Sequence, residues 1–186
     1  MAMTLDGTSG ITQMTGSSVM SGSTSGTTTI IPSAVAGTTT VTLPASTGTV
    51  MVSGNMPAFS AWQSTGQSLS ASTNTKALFQ TEEFDTNSNF ASSTFTPTVA
   101  GYYQVSGGYQ PATAASTLTV FVYKNGTVYK NIAVNIASAS WVYGSCLVYC
   151  NGTTDYIELY FYSAVLNTTN PTQQSTYFQA AMVRSA

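Results

Sequence analysis

The sequence contains no histidine and very few charged residues. Lys and Arg number 4 and Asp and Glu number 6, so charged residues make up 5% of the 186 residues, against about a quarter in typical globular proteins. The lack of histidine removes the commonest general base and the commonest metal ligand. A net charge of −2 provides no positive surface for a phosphate backbone. We therefore expect no enzyme activity, no cofactor and no nucleic-acid partner.

The sequence also lacks any apolar run of about 18 residues, and its first residues lack the basic and apolar segments of a secretory signal. We therefore expect that the chain does not insert into a membrane. We also expect that it assembles in a reducing cytoplasm. Its two cysteines, Cys146 and Cys150, would lie ~13 Å apart along one face of a strand. That distance is too long for a disulfide, and no further cysteine or histidine completes a zinc site. We interpret both as buried, reduced structural residues.

The aromatic residues are distributed unevenly along the chain. All 21 aromatic residues lie from Phe59 onward, whereas residues 1–55 are mostly Ser, Thr, Gly and Ala. Such a segment cannot by itself bury enough apolar surface to offset its ordering entropy. We therefore predict an extended arm over residues 1–55, held by sister chains or a larger assembly, and a globular domain over residues 56–186.

The arm has a weak repeat, in which Gly26, Gly37 and Gly48 are spaced by eleven residues. Each unit has a threonine-rich, β-branched stretch ending at a proline, which is typical of a short strand and turn. A linker with chance similarity is the alternative. Residues 7–26 show no period, and we expect them to lie extended along a partner surface. The candidate anchoring residues are Leu5, Ile11, Ile30, Ile31, Val41 and Leu43.

From Phe59 onward the pattern is that of an all-β domain. The Asn125-Gly126 pair is a strong hairpin signal, and no amphipathic helical stretch separates the apolar runs. The sequence therefore predicts an antiparallel sandwich or jelly roll. The predicted strands cover residues 102–106, 118–124, 127–129, 141–150, 155–163 and 176–183.

Two of these strands, 141–150 and 156–162, alternate small or aliphatic side chains with aromatic ones. We expect the aliphatic sides to form the core. If the two strands are neighbours, their aromatic sides form one patch too large to leave in water, which favours a subunit interface. The alternative is that the patch covers a second layer of the same chain. The candidate interface residues are Trp141, Tyr143, Tyr149, Tyr156, Tyr160 and Tyr162.

Glu82, Glu83 and Asp85 form the one acidic cluster. A solvated surface group is the favoured interpretation, because no loop motif frames the three and Glu82 and Asp85 would face opposite sides of a strand. A calcium site is the alternative. Catalysis by paired carboxylates has the least support, so we assign no catalytic residue and no firm metal ligand.

A series of motifs runs in order through residues 57–184: Pro57-Ala58-Phe59-Ser60-Ala61, Phe95-Thr96-Pro97, Gly101-Tyr102-Tyr103, Val122-Tyr123-Lys124-Asn125-Gly126, Asn151-Gly152 and Tyr177-Phe178. In their type and order these motifs resemble the C1q/tumour-necrosis-factor-like jelly roll. The sequence departs from the family at Gly152-Thr153-Thr154-Asp155, where a Gly-Asp pair is usual. The resemblance implies a ten-stranded antiparallel sandwich that assembles as a homotrimer through aromatic faces.

The arm is similar to the N-terminal regions of tailed-bacteriophage fibre and decoration proteins, in the stretch Leu5 to Thr12 and in the Gly-Thr-Thr-Thr blocks that continue to Val52. Together the two resemblances imply a virion structural protein, a trimeric capsid decoration or head-fibre protein with an anchoring arm and an exposed knob. A chain of 186 residues leaves little room for a tail-fibre shaft, which favours the capsid over the tail. The alternative is a tail-fibre receptor-binding protein or lectin-like adhesin that recognises host-surface glycans.

Overall fold

The computed structural model describes residues 18–21, 23–31, 40–41, 45, 47–48, 50–136 and 140–186. The chain separates into two compact units, residues 1–47 and residues 48–186.

The first unit contains an antiparallel hairpin of β1 (Ser18–Ser21) and β2 (Thr27–Ile30). The strand predicted before Pro32 is thus confirmed as β2. Within residues 7–26, which are expected to lie extended along a partner surface, Ser18–Ser21 is extended and pairs with β2 of the same chain; the partner surface stays a prediction. Ile30, Ile31 and Val41 are exposed. The other candidate anchoring residues, Leu5, Ile11 and Leu43, lie outside the described residues.

The second unit is a sandwich of two antiparallel sheets. Its strands are β3 (Ala58–Trp62), β4 (Ser68–Leu69), β5 (Thr75–Lys76), β6 (Thr81–Asp85), β7 (Phe90–Ala91), β8 (Thr94–Phe95), β9 (Gly101–Tyr109), β10 (Leu118–Lys124), β11 (Thr127–Asn135), β12 (Val142–Cys150), β13 (Ile157–Ser163), β14 (Asn167–Thr168) and β15 (Tyr177–Ser185). One sheet has the order β12-β9-β15-β3-β6. The other has the order β11-β10-β13-β8-β7, with β5 also paired to β13.

The connections of a jelly roll explain this order, because neighbours in each sheet are mostly not consecutive in the chain. β4 and β14 form a separate short pair. The helical part of the described chain is a single 3₁₀ turn at Ser53–Asn55. Within the described ranges, no helix reaches the length and hydropathy that a bilayer crossing requires. The predicted all-β antiparallel sandwich is confirmed.

The core lies between the two sheets and is rich in aromatic rings. Phe59 stacks on Phe90 with ring centroids 4.5 Å apart and meets Phe178 edge-on at 4.8 Å. The alternation predicted for β13 is confirmed, since Ile157 and Phe161 are fully buried. The side chains of the core thus come from strands far apart in the sequence.

The two cysteines occupy the inward side of β12, as predicted. Both are free thiols. Cys150 is buried as expected, whereas the expectation of burial is wrong for Cys146, which is half-buried. Burial raises the pKa of Cys150 to about 11. Because the thiolate is the reactive form, this cysteine is chemically inert at neutral pH.

Asp155 ties the β10–β11 turn to the loop before β13. In the turn, Asn125 and Gly126 have φ angles of 53° and 76°, the left-handed backbone that a two-residue hairpin requires. The Asp155 carboxylate accepts hydrogen bonds from Asn125 Nδ2 at 2.8 Å, Lys124 Nζ at 2.8 Å and the Asn151 backbone N–H at 2.9 Å. The Asn125 and Lys124 bonds are the leading causes that hold the pKa of Asp155 below its usual range.

Asp155→Asn is expected to lower the free energy of unfolding by about 2 kcal/mol at pH 7, because it removes the charge that accepts these hydrogen bonds. The pKa of Asp155 is lower in the folded than in the unfolded chain. Its stabilising contribution is therefore complete above about pH 5 and is lost as the pH falls from about 4 through the folded-state pKa. Urea unfolding at pH 7 and pH 3 measures both effects.

The matched control is Glu82→Gln, which removes a carboxylate from an exposed position and should change the unfolding free energy by less than about 0.5 kcal/mol. The difference in unfolding free energy between wild type and Asp155→Asn should be smaller at pH 3 than at pH 7. An equal difference at the two pH values would contradict the assigned role of the Asp155 charge.

Candidate assembly surface

The two aromatic strands identified in the sequence lie in different sheets. β12 pairs with β9, and β13 pairs with β10. The two strands are therefore not neighbours, and their aromatic side chains do not form one combined patch. The jelly-roll connection carries the chain from one sheet to the other between these two strands, so Trp141, Tyr143 and Tyr149 are separated from Tyr156, Tyr160 and Tyr162.

The cross-strand register arranges the outward side chains of the five-stranded sheet in four rows. We call this surface the assembly face. From one end of the sheet to the other, its rows are Tyr143, Gly108, Tyr177 and Trp62; Ser145, Ser106, Gln179 and Ser60; Leu147, Gln104, Ala181 and Ala58; and Tyr149, Tyr102 and Arg184.

The assembly face has large side chains at its margins and small ones at its centre. Leu147 and Tyr102 are 49% and 44% exposed on one side, and Phe84 is 51% exposed on β6 at the other. Between them, Ala58 and Ala181 help to line a shallow groove of about 160 Å³. Arg184, opposite Tyr102 in the fourth row, is the one charged residue of the four rows. A face of exposed apolar side chains around a groove is typical of a surface that another protein covers.

Gly108 is required beneath the first row of the assembly face. The rings of Tyr143 and Tyr177 stack at 5.7 Å with an interplanar angle of 15°. A Cβ atom at position 108 would lie 2.1 Å from the Val142 carbonyl oxygen and 2.4 Å from Tyr143 Cδ1. Tyr143 Oη donates to the Ser175 carbonyl at 2.8 Å, and burial raises the pKa of its hydroxyl to about 12. Tyr143 is therefore fixed in place by the protein itself.

The aromatic side chains on the other sheet are more fully covered by their own neighbours. Tyr160 stacks on Tyr123, with ring centroids 3.7 Å apart, and Asn74 donates to the Tyr123 hydroxyl. Beside them, Lys76 Nζ lies 2.6 Å from Glu158 Oε1. Tyr156, Tyr160 and Tyr162 are all half-buried. This side thus leaves less aromatic surface exposed than the assembly face.

The comparisons with known proteins give a result for the fold alone. No protein-family model and no curated protein matches the sequence. Murine APRIL superposes with a TM-score of 0.55 at 11% identity, over 69% of this chain and 99% of that chain. The chain has the TNF/C1q jelly-roll fold. The globular domain of zebrafish complement 1qA protein (TM-score 0.52, 15% identity, 70% and 98% covered) and Eiger TNF from S. frugiperda (0.52, 8%, 70% and 93%) agree with it.

In this jelly roll the acidic cluster does not form a site. Glu82 and Glu83 are both exposed, and Glu83 Oε2 accepts a hydrogen bond from Ser60 Oγ at 2.5 Å. The Asp85 carboxylate turns back to the backbone N–H groups of Asn87 at 3.3 Å and Phe90 at 2.7 Å. Among the described residues, no three Cys, Asp or Glu side chains are placed to hold a metal ion. The three acidic residues therefore have separate surroundings.

Several residues of the assembly face were missed as candidates in the sequence. Tyr102 and Tyr177 come from β9 and β15, and Trp62 comes from β3. The alternation within β9 and β15 gave a signal, since Tyr103 and Phe178 are buried while Tyr102 and Gln179 are exposed. No local signal could show that these strands are neighbours of β12, because they are separated by long stretches of chain.

The edge of the jelly roll beside the assembly face carries two lysines. Lys124 Nζ donates to the Tyr149 carbonyl at 2.8 Å, and Lys130 Nζ donates to the Leu147 carbonyl at 3.1 Å. These bonds satisfy backbone acceptors of β12 that face β11. Charged side chains at an edge also discourage further strand pairing. The lysines therefore make edge-to-edge aggregation through β12 less favourable.

Proposed function

We propose that this chain is a non-enzymatic structural protein of a tailed-bacteriophage particle, a homotrimeric capsid decoration or head-fibre protein at the virion surface. The observation that carries the proposal is the assembly face. Leu147, Tyr149 and Tyr102 are each at least 40% exposed there, and covering them with another copy removes apolar surface from water. The TNF/C1q fold supports the same arrangement, because the family that the sequence resembles assembles as homotrimers.

The N-terminal arm supplies the proposed anchor to the particle. In the described part of the arm, β1 pairs with β2 as a two-stranded hairpin, which is too small to be stable alone in water. Ile30 is 61% exposed and Ile31 is 72% exposed. A partner surface that covers these two side chains would stabilise the hairpin. Docking on other virion proteins, with the jelly roll exposed as a knob, accounts for both features.

Light scattering of the full chain tests the trimer, and we expect three times the mass of the 19.4 kDa chain. Cosedimentation with purified phage heads tests the anchor. The double variant Ile30→Asp with Ile31→Asp should keep the trimer mass and fail to cosediment, because it places two charges on the docking side chains.

The matched control for the anchor is Ser23→Asp, which adds a charge at an exposed position in the β1–β2 turn and should cosediment normally. A monomeric or dimeric mass would overturn the trimer. Equal cosedimentation of the double variant and the control would overturn the anchoring role of Ile30 and Ile31.

A second candidate function is attachment to host-surface glycans, as in a tail-fibre receptor-binding protein or lectin-like adhesin. The observation that favours it is a polar pocket on the five-stranded sheet, lined by a carboxylate, amide groups and a tyrosine. Such groups are the usual partners of neutral hydroxylated ligands.

A further inference from the structure

A polar pocket opens on the outward side of the five-stranded sheet, where β15, β3 and β6 meet. Its volume is about 470 Å³, within the range of about 300–1,000 Å³ that is typical of small-molecule sites. It lies towards the β6 side of the sheet, while Leu147, Tyr149 and Tyr102 lie towards β12. Its lining residues are Ser60, Glu83, Gln173, Gln174, Tyr177 and Gln179.

The Glu83 carboxylate is fixed at the wall of the pocket. Its Oε2 atom accepts a hydrogen bond from Ser60 Oγ at 2.5 Å, and its Oε1 atom accepts one from Gln173 Nε2. Ser60 is itself buried. Because each carboxylate oxygen can accept more than one hydrogen bond, Glu83 can still accept hydrogen bonds from a ligand. Its orientation is set before any ligand arrives.

The remaining polar groups of the pocket are free to bind a ligand. Within the described part of the chain, the side-chain amides of Gln174 and Gln179 and the hydroxyl of Tyr177 make no hydrogen bond. Each amide offers two donors and an acceptor, and the hydroxyl offers both. The Tyr177 ring is held by its stack on Tyr143 and is half-buried, so it presents an apolar surface at a fixed position.

We infer that this pocket binds a neutral carbohydrate. Sugar hydroxyls both donate and accept, which matches free amides beside a carboxylate, and the C–H surface of a pyranose ring packs on an aromatic ring. Glu83 is the one charged lining residue. It repels anions, and a single carboxylate is too little for a metal ion. The inference rests on the second candidate function. Because Ser60, Tyr177 and Gln179 also belong to the assembly face, it requires that the copies of the trimer cover the β12 side of that face and leave the β6 side open.

Titration calorimetry of the full chain tests the site with the methyl glycosides of glucose, galactose, mannose and N-acetylglucosamine. We expect saturable binding of at least one glycoside with a millimolar Kd. Glu83→Ala and Gln179→Ala should each weaken it about tenfold or more, because each removes hydrogen bonds to the ligand. Glu82→Ala is the matched control, since Glu82 is on the same strand but does not line the pocket.

The site assignment is overturned if none of the four glycosides binds at about 50 mM, well above a millimolar Kd. It is also overturned if both pocket variants bind as wild type does, or if Glu82→Ala loses as much affinity as they do. Light scattering of each variant shows whether a loss of glycoside binding is accompanied by a change in oligomeric mass. Should Glu83→Ala change the mass, Gln174→Ala decides, because Gln174 lines the pocket and belongs to none of the four rows of the assembly face. Wild-type mass without glycoside binding rejects the carbohydrate site and leaves the proposed trimer intact.

Discussion

Leu147→Glu is expected to convert the proposed trimer into monomers. Leu147 lies in the third row of the assembly face and is 49% exposed in the single chain. In the assembly a glutamate there would be buried beside Lys130 Nζ, which already donates to the carbonyl of residue 147 at 3.1 Å, and an incompletely paired buried charge costs about 3–5 kcal/mol per site. The dissociation constant should rise by about a hundred- to a thousandfold or more. Sedimentation equilibrium over a range of protein concentrations measures this change directly.

The matched control is Val128→Glu. Val128 is 52% exposed and pairs with Tyr123 on the β10–β11 side of the other sheet. This variant introduces the same charge at nearly the same exposure and should keep the trimer. If Val128→Glu dissociates the protein and Leu147→Glu does not, copies assemble through the six-stranded sheet and the assembly face is misassigned.

Phe59→Ala should give the largest loss of stability among single core substitutions, about 3–5 kcal/mol. The Phe59 ring is 1% exposed and lies within 4.8 Å of the ring centroids of Phe90, Phe95 and Phe178. Its removal leaves a cavity where both sheets meet, and close-packed neighbours relax only in part. Urea unfolding followed by circular dichroism measures the change, at one fixed protein concentration because assembly contributes to apparent stability.

Tyr129→Ala is the matched aromatic control for this loss. Tyr129 is 42% exposed on β11, so its removal should cost less than about 1 kcal/mol. Similar losses for the two variants would show that the Phe59 cluster is not the centre of the core. A loss at Phe59 that disappears with dilution of both proteins would assign the effect to assembly instead of to packing within the chain.

Patterns of a few residues were enough to predict much of the fold. Alternation within residues 156–162 correctly placed Ile157, Leu159 and Phe161 in the core, because successive side chains of a strand point to opposite faces. The Asn125-Gly126 pair correctly placed the β10–β11 turn, because its left-handed φ angles are most accessible to Asn and Gly. Both are local properties, set by the residues themselves.

The candidate site was less accessible to such reasoning. Tyr143 and Tyr149 were placed on the outward side of their strand, but the strand expected beside them belongs to the other sheet. Their true neighbours come from β9 and β15, such as Tyr102 and Tyr177. Which strands pair depends on the connections of the whole domain, and an alternating pattern carries no information about the partner.

The sequence by itself determined the all-β class, the inward and outward sides of the main strands, the free cysteines and the low charge. Backbone geometry and residue chemistry decide these features at each position. The tertiary structure alone decided that Gly108 lies beneath the Tyr143–Tyr177 stack and that Glu83, Gln179 and Tyr177 meet in one pocket. Those features depend on contacts between residues far apart in the chain, which exist only after the sheets have formed and packed together.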